Sequence, residues 1–188
     1  MNIFVLDEDP RIAARMVCDK HCSKMIIESA QMMSTAHRML DGFQYKGPSK
    51  SGKTTQTRYR FNDDREHVLY AAVHKYHPCT TWTMESKANY EWHYEHFVGL
   101  SNEFEYRYGK QHMTSQKLTE ALREAPVNIP KVPMTPFAQA MSHYPECKVD
   151  GDAVAAYRNY YHISKSFAKW AKGREAPFWW EGYKGIAA

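Results

Sequence analysis

The sequence predicts a mainly α protein: a single compact helical domain over residues 1–188, with a short N-terminal strand and a Pro-rich irregular segment near 126–149. Polar and apolar residues between positions 21 and 39 fall into separate stripes at 3-4 spacing, the signature of an amphipathic helix. Helix start and stop residues recur along the chain. No internal repeat is present, and no strand–helix alternation of the kind a parallel sheet requires. A chain of 188 residues can bury a sizeable core but is short for two domains. Its 43% hydrophobic and 24% charged residues exclude a disordered chain or a simple coiled coil.

Each element follows from local signals. Residues 2–6 (Asn-Ile-Phe-Val-Leu) read as a short strand. Asp9-Pro10 starts a helix, Asp as cap and Pro as a pre-set first helical residue, and one helix or two then run to about residue 40. The stretch of about 42–62, rich in Gly, Ser, Thr and Lys, reads as a flexible basic loop. A helix over 65–75 precedes a break at His77-Pro78. Thr80 or Thr81 caps a long helix ending near Tyr108, where Gly109 supplies a left-handed stop. A helix over about 113–124 leads into the proline-rich segment, which cannot stay regular. Asp150 or Asp152 opens a last helix to about residue 172, stopped by Gly173 and followed by the aromatic tail Pro177-Phe178-Trp179-Trp180.

Composition narrows the function classes. Tyr, Phe and Trp together make 14% of the chain, with 10 His, and 25 Lys+Arg against 21 Asp+Glu leave a net charge of +4. That set suits a protein that stacks on bases and touches phosphates, although the charge alone is only a mild bias. The four Cys are unevenly spaced, and the opening MNIFVLDEDP lacks the basic and apolar regions of a secretory signal. Free thiols in a reducing cytoplasm are the expectation. No apolar run approaches the roughly 18 residues that span a bilayer, so no membrane partner is expected.

Two motifs are weighed and set aside. Residues 47–54 match the phosphate-loop pattern G-x-x-x-x-G-K-[ST], but the chemistry requires a strand before the loop and a helix after it. Neither flank reads that way, and a basic loop touching nucleic-acid backbone is the preferred reading. Cys18, His21, Cys22, His77 and Cys79 can be drawn as a zinc site, yet they form neither paired C-x-x-C knuckles nor a deaminase pattern, and no metal is assigned. A Cys nucleophile needs a nearby base, and Cys18 or Cys79 is otherwise a small buried residue.

The informative constellation is the stripe His21, Lys24, Glu28, Gln31 and Thr35, beside an apolar seam of Met25, Ser29, Met32, Ala36 and Met39. The ordinary reading is a solvated face with Lys24 and Glu28 as an i,i+4 pair. The functional reading is an acid, a base and hydrogen-bonding groups on one line. Trp82, Ser86, Asn89 and His93 recur at 4-3-4 and mix stacking with hydrogen bonding, or else form core with buried partners. Arg107 and Lys110 stand at a helix C-terminus, where the dipole favours cations even without ligand. Gln139 lies in an irregular apolar loop and can read a base edge or cover the core. Arg158, Tyr161 and Lys165 form one stripe, Tyr157, Tyr161 and Ser164 another; Arg158 and Lys165 suit a phosphate clamp, or are solvated.

The segments Phe4-Val5-Leu6-Asp7-Glu8-Asp9-Pro10, Cys18-Asp19-Lys20-His21, Lys24-Met25-Ile26-Ile27-Glu28, His77-Pro78-Cys79, Tyr106-Arg107-Tyr108-Gly109-Lys110, Pro136-Phe137-Ala138-Gln139-Ala140-Met141 and Ala156-Tyr157-Arg158-Asn159-Tyr160-Tyr161 resemble a family of small tailed-phage proteins. That family is identified with phage amino acid:DNA transferases that hypermodify thymine. The resemblance covers nearly the whole chain apart from 42–62. It implies a reaction on 5-phosphomethyluracil in DNA, in which a free amino acid's α-amine displaces phosphate in the cytoplasm of an infected bacterium.

The residue roles come from the chemistry itself. His21 is the candidate base, oriented by Asp7 or Glu28. Lys24, Arg107, Lys110 and Arg158 are candidates for phosphate or DNA, and Asn89 and Gln139 for substrate contacts. Trp82 and Tyr157 are the candidate platforms for an extruded base. The displacement requires no redox or nucleotide cofactor. A DNA glycosylase or nucleotide hydrolase using Glu28 or Asp7 to activate water, and a non-enzymatic nucleic-acid-binding module, are the competing classes.

Overall fold

The computed structural model describes residues 1–49 and 51–186. Among them, helices α1 (Pro10–Met16), α2 (Asp19–Asp41), α3 (Arg65–Val68), α4 (Pro78–Glu85), α5 (Lys87–Tyr108), α6 (Met113–Leu118) and α7 (Ala153–Ser164) surround one cluster of buried side chains. The mainly α class is as expected. One antiparallel hairpin, β1 (Phe43–Pro48) with β2 (Thr55–Arg60), is the only sheet among the described residues. No described helix is long and apolar enough to cross a membrane.

Residues 2–6 do not form the expected strand. Ile3, Phe4, Val5 and Leu6 are all buried, so helices occupy both faces of this extended segment. Its polar groups pair with side chains instead: the Asn2 amide donates to Glu28 Oε2 at 2.9 Å, and the Leu6 carbonyl accepts from Arg158 Nε and Nη2 at 3.0 and 2.8 Å.

Asp9 caps α1, its Oδ1 accepting from the amides of Arg11 and Ile12. The chain extends at Val17 and Cys18 before re-entering helix, so the N-terminal helical stretch is two helices. α1 crosses α5 closely at Gly99, where an added Cβ would lie 2.8 Å from Ala14 Cβ. Glycine is required there for packing, not for its backbone angles.

The expected loop over 42–62 is instead an ordered hairpin in register from Phe43↔Arg60 to Pro48↔Thr55. Both strands are largely exposed, so no buried face imposes the apolar alternation that betrays a strand. The phosphate-loop match falls on its end; Ser49 and Thr54 are hydrogen-bonded across it, and Lys50 lies outside the described residues. This segment joins strand to strand, which the phosphate-binding geometry does not use.

α3 stops well short of residue 75 because buried Arg38 draws the chain out of helix. Its guanidinium donates to the carbonyls of Tyr59, Glu66, Leu69 and Tyr70 and to Glu66 Oε2. α4 is capped by His77, whose Nδ1 accepts from the Cys79 amide, rather than by Thr80 or Thr81. The long helix divides at Ser86, which is extended and caps α5 through the Asn89 amide. Gly109, at φ 64°, ends α5 as read from the sequence. α6 is shorter than its expected span; Tyr94 and Tyr90 hydroxyls take the carbonyls of Thr119 and Leu122 as the chain turns away. Asp152 caps α7, which ends at Ser164 rather than near 172, since residues 169–171 fold onto the start of α2 through Asp19 and Lys169.

Three histidines are locked in this core. His37 Nε2 donates to the Tyr90 hydroxyl at 2.8 Å, the hydroxyl proton being spent on the Leu122 carbonyl, and burial pushes the His37 pKa down to about 4. His93 and His96 are fully buried on α5, His93 held well below the usual imidazole range by burial and His96 lowered to about 3. Both ring nitrogens of His96 and Nε2 of His93 have no hydrogen-bond partner among the described residues. Unfolding releases these rings to water, where each takes up a proton below about pH 6.5. Stability should therefore be full above pH 7.5 and fall below 6.5 by about 1.4 kcal/mol per pH unit for each ring, down to its native pKa. Urea denaturation at pH 7.5, 6 and 5 measures this, and a flat profile would refute the neutral buried state.

Candidate functional site

The α2 stripe is not a solvated face. His21 and Thr35 are buried and Gln31 is half-buried; Glu28 keeps only 12% of its side chain exposed, while Lys24 keeps 60%. The parallel seam of Met25, Ser29, Met32 and Ala36 is buried as the spacing implied. The His21 ring stacks on Phe4 at 4.3 Å and meets the edges of Tyr161 and Phe167 at 5.3 and 5.4 Å. Its Nδ1 is hydrogen-bonded to the Tyr161 hydroxyl at 2.6 Å. Burial first, then the charges of Lys165, Lys24 and Lys20, push its pKa down to about 3, so the ring is neutral.

Neither carboxylate expected to orient His21 reaches it. Glu28 accepts from the Asn2 amide and faces the Met1 ammonium at 3.5 Å and Lys24 Nζ at 3.4 Å. Asp7 accepts from the Asp9 amide and faces Arg158 at 3.6 Å. The orienting group is Tyr161, in the middle of the α7 stripe Arg158, Tyr161, Lys165. At one end of that stripe Lys165 is buried, with Nζ 3.7 Å from the centre of the Tyr160 ring and 3.1 Å from Ser164 Oγ. No carboxylate lies within ion-pair distance of it among the described residues. Lys20 stands nearby over Phe167, at 4.2 Å. At the other end, Arg158 joins Asp7, Glu8, Asp152 and Asn159 around an open cleft of about 550 Å³.

Comparison with protein-family models, with curated proteins and with solved structures finds no match. The site therefore rests on its own geometry.

Several expected site residues serve the fold instead. Arg107 is buried in an ion network, bonded to Glu103 at 2.7 Å, Asp19 at 3.0 Å and the Arg15 carbonyl at 3.0 Å, which leaves no free face for phosphate. Asn89 is fully buried; its Nδ2 donates to the Trp82 carbonyl and Thr135 Oγ1, and its Oδ1 accepts from the Thr135 amide. Gln139 pairs with both backbone groups of Val149. Trp82 and Tyr157 cannot stack on a base because both are buried, Trp82 against Trp92 and Phe137, and Tyr157 with its hydroxyl 2.8 Å from Asn2 Oδ1. Lys110 is exposed just past Gly109.

The thiols are also structural. Burial pushes Cys22 up to about 12 and Cys79 up to about 11, against the thiolate that a nucleophile or ligand requires. His77 is committed to its cap. Among the described residues no group of three or more His, Cys, Asp or Glu is placed to hold a metal ion.

Sequence reasoning missed Lys20 and Phe167, which meet where the chain after α7 reaches the start of α2, and Tyr160 of α7, whose ring lies under Lys165. It did contain the signal for Tyr161, the 3-4 stripe on α7. Lys165→Met removes the leading charge acting on His21 while burial persists. The His21 pKa should then rise from about 3 yet stay below 6.5. An NMR titration of the imidazole reads this, and a wild-type value at or above 6.5 would mean the ring is solvated.

Proposed function

We propose that the chain is a DNA-modifying transferase, joining an amino acid through its α-amine to 5-phosphomethyluracil in DNA with loss of phosphate, in the cytoplasm of a phage-infected bacterium. The observation that carries the reading is the α7 stripe whose Tyr161 meets His21, with a buried lysine that has no carboxylate partner among the described residues at one end and a charged cleft at the other. The resemblance to the phage transferases supports the substrate.

In this reading the cleft takes the amino acid. Arg158 spends Nε and Nη2 on the Leu6 carbonyl and keeps Nη1 for the α-carboxylate, and Asp7 and Glu8 suit the α-ammonium. Lys165 and Lys24 act as point charges for the phosphate, while Tyr160 and Phe167 replace Trp82 and Tyr157 as platforms for the pyrimidine. Arg158 and Lys165 are two helical turns apart, about 10 Å along the axis, a span that an amino acid and a phosphomethyl group bridge together. His21 Nε2 takes a proton from the α-ammonium and frees its lone pair; the amine nitrogen then attacks the exocyclic methylene carbon, the C–O bond breaks, and phosphate leaves with the electron pair and takes up the second amine proton. A neutral His21 is a weak acceptor in the empty site, and a bound phosphate reverses the surrounding charge and raises its pKa.

The test is to incubate the protein with 5-phosphomethyluracil DNA and the twenty amino acids, digest to nucleosides and weigh the products. The expected result is an adduct with one phosphate released per amino acid joined. Lys165→Ala should raise the KM for DNA at least tenfold, and Arg158→Lys the KM for the amino acid. Phosphate or free base released without adduct would replace the transferase by the hydrolase or glycosylase reading. Unchanged DNA would leave a binding module.

A further inference from the structure

The hairpin carries more than the whole positive excess of the chain. Residues 43–60 hold five Lys and Arg and no Asp or Glu, whereas the full chain is only +4. At its root lies a cavity of about 630 Å³, walled by Tyr45, Arg58, Tyr59, Arg38, His74 and Lys75. That volume lies within the range of small-ligand pockets and holds a nucleotide. Lys75 Nζ is 5.4 Å from the centre of the Tyr59 ring and donates to the Thr57 carbonyl at 2.8 Å; Arg60 lies 5.6 Å over Tyr45. His74 has φ 47°, the one left-handed non-glycine residue among the described ones, and it stands in the cavity wall. Arg38 is charge-neutralised by Glu66, and Lys46, Lys53 and Arg60 of the hairpin are exposed, with half-buried Lys75 beside the cavity.

The cavity and the His21 site sit at opposite ends of one stripe. Arg38 continues the 3-4 spacing from His21 through Lys24, Glu28, Gln31 and Thr35. The axial separation is about 25 Å at 1.5 Å per residue, the rise of about seven nucleotides at 3.4 Å each.

We propose that the hairpin is a second DNA contact: Lys46, Lys53 and Arg60 hold backbone phosphates, and one base about seven nucleotides from the target seats in the cavity against Tyr45, whose ring lies on the hairpin face that carries Arg58 and Arg60. The inference rests on DNA being the substrate and adds where, and over what length, it is gripped. The positive charge commits the surface to a polyanion, and the exposed Tyr45 ring beside a nucleotide-sized cavity selects a strand with bases over a plain acidic chain.

The probe is unmodified fluorescein-labelled thymine DNA, single-stranded and duplex, from 5 to 20 nucleotides, read by anisotropy between 50 and 300 mM salt. Lys46→Ala with Lys53→Ala and Arg60→Ala, all exposed positions, should weaken binding at least tenfold at 100 mM salt. The slope of log affinity against log salt should fall by about 2 to 3, since each phosphate contact contributes about 0.7 to 0.9. Tyr45→Ala should weaken single-strand binding with the salt slope unchanged, and wild-type affinity should step up once the strand exceeds about eight nucleotides. A control triple, Lys131→Ala with Lys169→Ala and Lys172→Ala, removes the same charge from exposed positions elsewhere. Equal loss in the control, wild-type binding by the hairpin triple, or binding to heparin but not DNA would each overturn the inference; circular dichroism confirms that the variants fold. The two readings fail separately. Hairpin-dependent DNA binding without any adduct removes the transferase and keeps this surface, whereas adduct formation indifferent to the hairpin at every DNA length does the reverse.

Discussion

Burial of α2 is the constraint on which the rest of the fold depends. Thirteen of its 23 residues are buried, among them His21, Thr35, His37 and Arg38, so a helix in the middle of the core carries polar side chains that must find partners. Each partner is fetched from a different segment. Arg38 collects four carbonyls from β2, α3 and the chain beyond, Thr35 Oγ1 lies between the Val73 amide and carbonyl, and His21 takes the Tyr161 hydroxyl. Irregular backbone that would otherwise lack a ladder is thus satisfied by side chains of one helix. The Asn2 amide on Glu28 belongs to the same pattern.

A second polar network closes the opposite side. Arg107 joins Glu103 on its own helix to Asp19 at the start of α2, and Glu103 also holds Arg174 through two hydrogen bonds. Breaking a buried pair of this kind typically costs about 3–5 kcal/mol, because the remaining charge is stranded away from water. This is why Arg107, the single arginine of α5, is a poor phosphate ligand. Lys165 is its counterpart: it is buried on aromatic rings, with no carboxylate in ion-pair distance among the described residues.

What the sequence revealed was local. The caps Asp9 and Asp152, the stop at Gly109 and the stripes on α2 and α7 all depend on residues within a few positions of one another, and they were readable. What it concealed was pairing at distance. Arg107 was read only as a cation at a helix end, and its bond to Asp19, 88 residues away, leaves no local trace. Trp82 and Tyr157 had the right chemistry for stacking and the wrong location, since exposure is decided by what packs over a ring. The hairpin escaped because it buries almost nothing, so binary patterning leaves no trace in it. Residues 2–6 looked like a strand for the opposite reason: an extended segment buried on every side is as apolar as a central strand.

That buried extended segment also constrains the order in which the molecule can be assembled. Phe4 and Leu6 are enclosed by His21, Tyr157, Tyr161 and Arg158, and the residues beyond α7 then close over the start of α2. During synthesis this apolar stretch must wait for contacts made some 150 residues later. Such long-range closure slows folding and leaves greasy surface open to chaperones and proteases in the interval. The same interlock works the other way once folding is complete, since neither end can peel off without exposing the wall against which the histidine is stacked.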